Sequence, residues 1–159
     1  MEKYRRNLTE LFKSESTAPI TNSSPAHAII LLSTIFHFAH ESVNVFCGNL
    51  RNDVFGNEDL ISEIRCAAYR NVKMVFILEH DNATPQIAEL SEKFKSNMEI
   101  RIIPQGVKRP AHFVVSDNKA FRIEENHDIT KAIGCANFPD IAMLLNKSFA
   151  SLYKQSRSV

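Results

Sequence analysis

Apolar positions along this chain follow two rhythms, a helical spacing of three to four residues in some stretches and near-continuous runs in others, and their order predicts the elements. Tyr4, Leu8, Leu11 and Phe12 fall on one face of a short helix over 3–14. The segment SESTAPITNSSP (14–25), rich in Ser, Thr and Pro, breaks the pattern and reads as a linker. Ser24 and Pro25 supply an N-cap and a first-turn proline for a helix running to about His40. Ile29, Ile30, Leu31, Leu32, Ile35, Phe36 and Ala39 make that helix apolar over most of its surface, so it is expected to be buried on more than one side. SVNVFCGNL (42–50) predicts a strand closing in a Gly-Asn turn. Asn57 caps a helix through Tyr69, with Leu60, Ile61, Ile64, Ala67 and Ala68 at helical spacing. VKMVFIL (72–78) is a continuous apolar run, the mark of a central strand covered on both faces. Thr84-Pro85 opens another helix, carried by Ile87, Leu90 and Phe94, and EIRII (99–103) is a strand. RPAHFVVSDNKAFRIE (109–124) reads as a hairpin turning at Asp117-Asn118, and KAIGCAN (131–137) as a short strand running into a turn. A last helix, from about Pro139 to Lys154, carries Ile141, Leu144, Leu145, Phe149 and Leu152.

A helix, then β-α-β-α-β, then a hairpin, a strand and a helix imply an α/β fold, an α/β/α sandwich on a mixed, largely parallel sheet. The division expected is an N-terminal helix and linker over 1–23 and one domain over 24–159. A chain of 159 residues suits a single sizeable core, and 44% hydrophobic with 23% charged residues is ordinary for a globular protein. Nineteen basic against eighteen acidic residues leave a formal charge of +1, which excludes a general basic coat for nucleic acid and requires any anion site to be local. Cys47, Cys66 and Cys135 lie far apart without a paired spacing, which argues against a disulfide framework or a zinc knot and for a reducing cytoplasm. The amphipathic start does not read as a signal peptide, and the longest apolar stretch (28–39) is about half of what a membrane span requires. No membrane association and no cofactor are expected.

Candidate chemistry gathers around the hairpin. His112 on its first strand admits three readings: a core histidine, a ligand contact or a catalytic group. Lys108 and Arg109 precede it as either a solvated loop or an anion-contacting one. Asn137, after Gly134 and before Pro139, reads as the N-cap of the last helix, a role compatible with anion binding. Cys135 reads as a buried thiol. His37, His40 and Glu41 lie close together on a helix end, but without a third spaced partner they do not predict a metal site.

Four features in order resemble one half of a phospholipase D-type fold, whose motif is HxKxxxxD followed by GSxN: FCGNL with the helix NEDLISEIRCAAYR, the strand NVKMVFIL, the segment HFVVSDNKAFRIE, and the turn AIGCANF ahead of a closing helix. The resemblance covers Ser24 to the end of the sequence. Matching Asp117 to the motif aspartate puts His112 at the lysine position and Pro110 at the histidine position; matching His112 to the histidine puts Val114 and Lys119 at the other two. The first register is favoured, because VVSD then ends a strand at a turn. Gly134 and Asn137 match the second turn, with Cys135 in place of its serine. The resemblance implies cleavage of phosphodiesters through a phosphohistidine, with lysine and asparagine neutralising the phosphoryl oxygens and a second half-site supplied by dimerisation. Losing one such charge-stabilising group costs about 10²–10³ in rate.

The expectation is therefore an eroded site that holds phosphate through Lys108, Arg109, His112 and Asn137, with Lys119 or Arg122 as further candidates and Gly134 and Cys135 forming its turn. Its function would be binding of nucleic acid or a nucleotide, or assembly of a protein complex, by a homodimer. The alternative is an active, metal-independent phosphodiesterase or nuclease in which His112 attacks across a dimer interface and Asp117 is part of the catalytic set. A purely structural role, with the pocket filled by side chains, is the third reading.

Overall fold

The computed structural model describes residues 1–50, 52–126 and 131–159. Among the described residues, six helices and eight strands follow in the order α1 (Glu2–Lys13), β1 (Pro19–Asn22), α2 (Pro25–Phe38), β2 (Ser42–Cys47), α3 (Asn52–Phe55), α4 (Glu58–Tyr69), β3 (Lys73–Leu78), α5 (Pro85–Lys93), β4 (Met98–Ile102), β5 (Phe113–Ser116), β6 (Ala120–Asn126), β7 (Lys131–Cys135), α6 (Pro139–Gln155) and β8 (Arg157–Ser158). All eight strands form one mixed sheet in the order β1-β7-β6-β5-β2-β3-β4-β8. β2, β3 and β4 run parallel, joined by helical crossovers, and the strands to either side of them are antiparallel. This is the α/β sandwich on a mixed sheet that the order of elements implies.

Period-two alternation divides the sheet's side chains between two cores. Val43, Val45, Met74, Phe76, Leu78 and Val114 point to the side covered by α1 to α5, while Phe46, Val75, Ile77, Phe113 and Val115 pack with Ala142, Phe149 and Leu152 of α6 on the other. β3 is buried from Met74 to Leu78, as its unbroken apolar run demands. α2 is buried over most of its circumference because α1 and α4 pack on it as well as the sheet. Each large side chain sealed this way, such as Phe36 stacked on Phe76, contributes roughly 1.5–3 kcal/mol.

The structure adds to and corrects the sequence expectations. The stretch read as a linker contains β1, which pairs with β7 from Pro19↔Cys135 to Asn22↔Ala132, so composition rich in Ser, Thr and Pro here marks an edge strand. Leu8 and Phe12 of α1 also lie in the main core. Arg157 and Ser158 form β8, a strand too short to show a period, held by its pairing to Ile102 and Arg101. Asn137 does not cap α6; the N-cap is Phe138, and the Asn137 side chain turns instead to the carbonyl of Glu15.

The caps are legible in sequence elsewhere. Ser24, Asn57 and Thr84 each accept backbone N–H bonds at the starts of α2, α4 and α5. α1 and α4 both end in a Schellman motif. Ser16 N donates to Leu11 O and Glu15 N to Phe12 O; Val72 N donates to Ala67 O and Asn71 N to Ala68 O. The left-handed position is Asn71 in one (φ 62°) and Glu15 in the other (φ 50°). Asparagine tolerates it; a long acidic side chain pays about 1 kcal/mol or more there. No described helix is long and apolar enough to cross a membrane.

Candidate functional site

In a sheet of this kind, ligands are taken at the carboxyl ends of the parallel strands. β2 ends at Cys47 and β3 at Leu78, and the amides of Glu79 and His80 both donate to the carbonyl of Gly48, drawing the two strand ends together. β5 runs antiparallel to β2 with Phe113 opposite Phe46, so His112, the residue before it, arrives at this same edge. The β5–β6 hairpin turns through Asp117 (φ 53°) and Asn118 (φ 55°), two residues that accept the left-handed region, with Lys119 completing a three-residue connection. That turn sets Ser116 opposite Ala120 and Phe113 opposite Ile123, and the amide of Glu124 donates to the carbonyl of His112 at 2.9 Å.

The result is a row of alternating charge. Arg109 Nη1 lies 3.5 Å from Glu79 Oε2, and Glu79 Oε1 lies 3.3 Å from His112 Nε2. His112 Nδ1 lies 3.3 Å from Glu124 Oε2, and Arg122 Nη1 lies 3.3 Å from Glu124 Oε1. Arg122, 5% exposed, donates from Nε to Asn22 Oδ1 at 3.0 Å. The His112 ring packs edge-on to Phe46, and Gly48 leaves room for it: a Cβ there would stand 3.2 Å from His112 Cε1. Beside the ring lies a cavity of about 40 Å³ bordered by Cys47, Asn49, Phe55, Arg122 and Glu124, large enough for little more than water.

Electrostatics follow from this geometry. Burial alone would lower the His112 pKa, but Glu124 and then Glu79 outweigh it and hold the imidazole above its usual value. Burial lowers the Arg122 pKa and Glu124 opposes that; a guanidinium stays charged in either case. Burial, aided by Glu124 and Glu79, raises the Cys47 thiol far out of the range of reactive cysteines. An imidazolium donates from both nitrogens, and here each faces a carboxylate. Nucleophilic attack on phosphorus needs an imidazole lone pair, and two carboxylates at this distance repel a phosphoryl group.

Of the residues singled out from sequence, Arg109, His112 and Arg122 meet in this row and the others do not. Lys108 and Arg109 line a groove of about 300 Å³ against Ser148, Ser151 and Gln155 of α6. Asp117 stands at the far end of β5, its carboxylate accepting from the amides of His40, Glu41 and Ser42 at 2.8–2.9 Å. Gly134 lies within β7, opposite Arg122 and Ile20, where a Cβ would meet the carbonyl of Phe121 at 2.7 Å. Cys135 is buried and donates weakly to Ser16 O. Asn137 follows at the Asp117 end of the hairpin, where Phe138 N donates to Lys119 O. Roughly four strand residues, ~13 Å, therefore separate the ends that carry His112 and Asn137. Lys119 is paired with Glu15 at that same far end.

Sequence reading missed Glu79, Glu124 and Asn22. One signal was available: Glu79 is the first charged residue after the apolar run of a central strand. A two-residue turn at 117–118 would face position 112 with 123; the observed pairing of Ser116 with Ala120 leaves three residues in the connection and brings Glu124 to His112 instead.

The arrangement of sheet and helices matches that of Nuc from Salmonella typhimurium, a phospholipase D family member, with a TM-score of 0.67 over 89% of this chain and 99% of that one at 15% identity. The fold is phospholipase D-like. NucT from Helicobacter pylori matches equally, with a TM-score of 0.67 over 89% of this chain and 99% of its own at 13% identity. The archaeal chromatin protein TrmBL2, whose structure shows a novel mode of DNA binding, matches with a TM-score of 0.68 at 14% identity; it covers 99% of this chain, which spans 62% of TrmBL2. No protein-family model and no curated protein matches the sequence. Within the phospholipase D-like fold, this chain carries at the centre of its strand-end site a histidine clasped by two glutamates.

One prediction follows directly for that histidine. Its folded pKa is raised, so its stabilising contribution is complete below the unfolded value of about 6.5 and fades as pH climbs through the folded value. NMR titration of the His112 ring should give a midpoint above that of a free imidazole. The stability gap between the native chain and His112→Gln should be wider at pH 6 than at pH 9. A midpoint at or below the free value would contradict the clasped arrangement.

Proposed function

We propose that this protein is a catalytically silent phospholipase D-like domain that binds nucleic acid through its phosphates and works as a homodimer. The observation that carries the reading is the engagement of both His112 ring nitrogens by Glu79 and Glu124, which leaves the strand-end site without a nucleophile, together with proline at the neighbouring position 110. The likeness to a DNA-binding chromatin protein over 99% of this chain supports a binding role. Phosphate contacts would fall on the groove between Lys108, Arg109 and α6, where Ser148, Ser151 and Gln155 add donors, with Lys108 the leading cation because Arg109 is also paired with Glu79. Phe138, Met143 and Leu144, exposed along α6, supply apolar surface for a second copy.

With a net charge of +1, binding should be weak and salt-sensitive. Purified protein mixed with single- and double-stranded DNA and RNA should shift them at low salt and cut none, with or without EDTA, and should sediment as a dimer. Lys108→Ala should weaken the shift and flatten the salt dependence by about one charge. Cleavage abolished by His112→Ala would replace this reading with the active phosphodiesterase; absence of any binding to all four substrates would leave neither.

A further inference from the structure

A second cleft, of about 380 Å³, opens at the opposite end of the sheet from His112, under the end of α1. Its volume lies within the range of small-molecule sites. The floor is apolar: Phe12, Ile35, Ala120 and Ala136 are buried beneath it, and the Phe12 and Phe38 rings lie 5.6 Å apart along one wall. The rim is polar and carries both signs of charge, with Lys13, His40 and Lys119 around the mouth beside Glu15 and Asp117. The carboxylate of Asp117 is held by three backbone amides, which take up most of its acceptor sites.

Glu15 is the anomaly. It occupies the left-handed position of the α1 cap, where glycine is usual, and its backbone is held there from outside: Asn137 Nδ2 donates to Glu15 O, while Asn137 N and the Cys135 thiol donate to Ser16 O. What this unfavourable residue provides is a carboxylate 2.6 Å from Lys119 Nζ, at the mouth of the cleft. Lys119 in turn holds the Glu15 carboxyl below its usual pKa, although the side chain is exposed.

We infer that this cleft is a binding site for a small amphipathic anion, an aromatic or branched apolar body carrying one carboxylate, sulfonate or phosphate group, and that Glu15 occupies the anion position on Lys119 when the cleft is empty. The ligand's charged group displaces the Glu15 carboxylate, Lys13 adds a second cation, and the apolar body lies on Phe12, Ile35 and Phe38. Because α1 forms one wall, an occupied cleft ties that helix to the β5–β6 turn.

The test uses the full chain and 8-anilinonaphthalene-1-sulfonate, an aromatic sulfonate whose fluorescence reports binding. Saturable 1:1 binding is expected, weakened about tenfold in Lys119→Ala by loss of a charge-assisted contact. Glu15→Gly should keep the fold, since glycine suits the left-handed position, and bind the probe several-fold more tightly by freeing Lys119. Lys93→Ala, on α5, should bind as the native chain does. Absence of saturable binding, or equal affinity in the native chain, Lys119→Ala and a folded Glu15→Gly, would overturn the site.

Discussion

Replacing Arg122 by methionine should lower the unfolding free energy by about 3–5 kcal/mol, the cost of breaking a buried ion pair from one side. Arg122 is 5% exposed and serves two partners at once, the half-buried Glu124 on its own strand and the buried Asn22 on β1. Removing the guanidinium takes one cation from Glu124 and one donor from Asn22, which is 2% exposed. Arg122→Met combined with Glu124→Leu should lose much less than the sum of the single losses, because the second change removes the carboxylate that the first exposes. Urea denaturation of the three variants measures both effects. A loss under about 1 kcal/mol for Arg122→Met would show that the row is solvated and that the pair holds little.

Asp117→Ala should cost about 3–4 kcal/mol, since one carboxylate satisfies three backbone amides and its bonds are charge-assisted. The amides of His40, Glu41 and Ser42 belong to the connection from α2 to β2, and the carbonyls just before them, of Phe36, His37 and Ala39, accept from Arg70. One anion and one cation thus fasten both sides of a single turn. Asp117→Asn, which keeps one acceptor oxygen, should lose about half as much. An aspartate reserved for catalysis would behave otherwise, its replacement leaving thermal and urea midpoints unchanged; that result would return Asp117 to the chemistry the sequence suggested for it.

The elements that could be read from the chain are those whose own residues carry the reason. The unbroken apolar run of β3, the cap residues Ser24, Asn57 and Thr84, and the Asp117-Asn118 bend each act within a few residues of themselves, and the structure has them where the pattern puts them. The α/β alternation likewise implied parallel pairing, which holds across β2, β3 and β4, where helical crossovers force it. β1 and β8 escaped because edge strands of four and two residues are made by their neighbours, β7 and β4, rather than by any period of their own.

The site divides in the same way. Composition and motif order identified His112, Lys108, Arg109, Asp117 and Asn137 as residues with chemistry to offer, and residue type alone establishes that much: an imidazole, cations, a carboxylate and an amide. Which of them meet is a matter of register and strand direction. Pairing in the hairpin carries Asn137 to the end away from His112 and carries Glu124 to its side, while the parallel run of β3 delivers Glu79 from a position 33 residues earlier. Charges act over a few ångströms whatever their separation along the chain, so the protonation and the reactivity of His112 were settled only when the sheet closed around it.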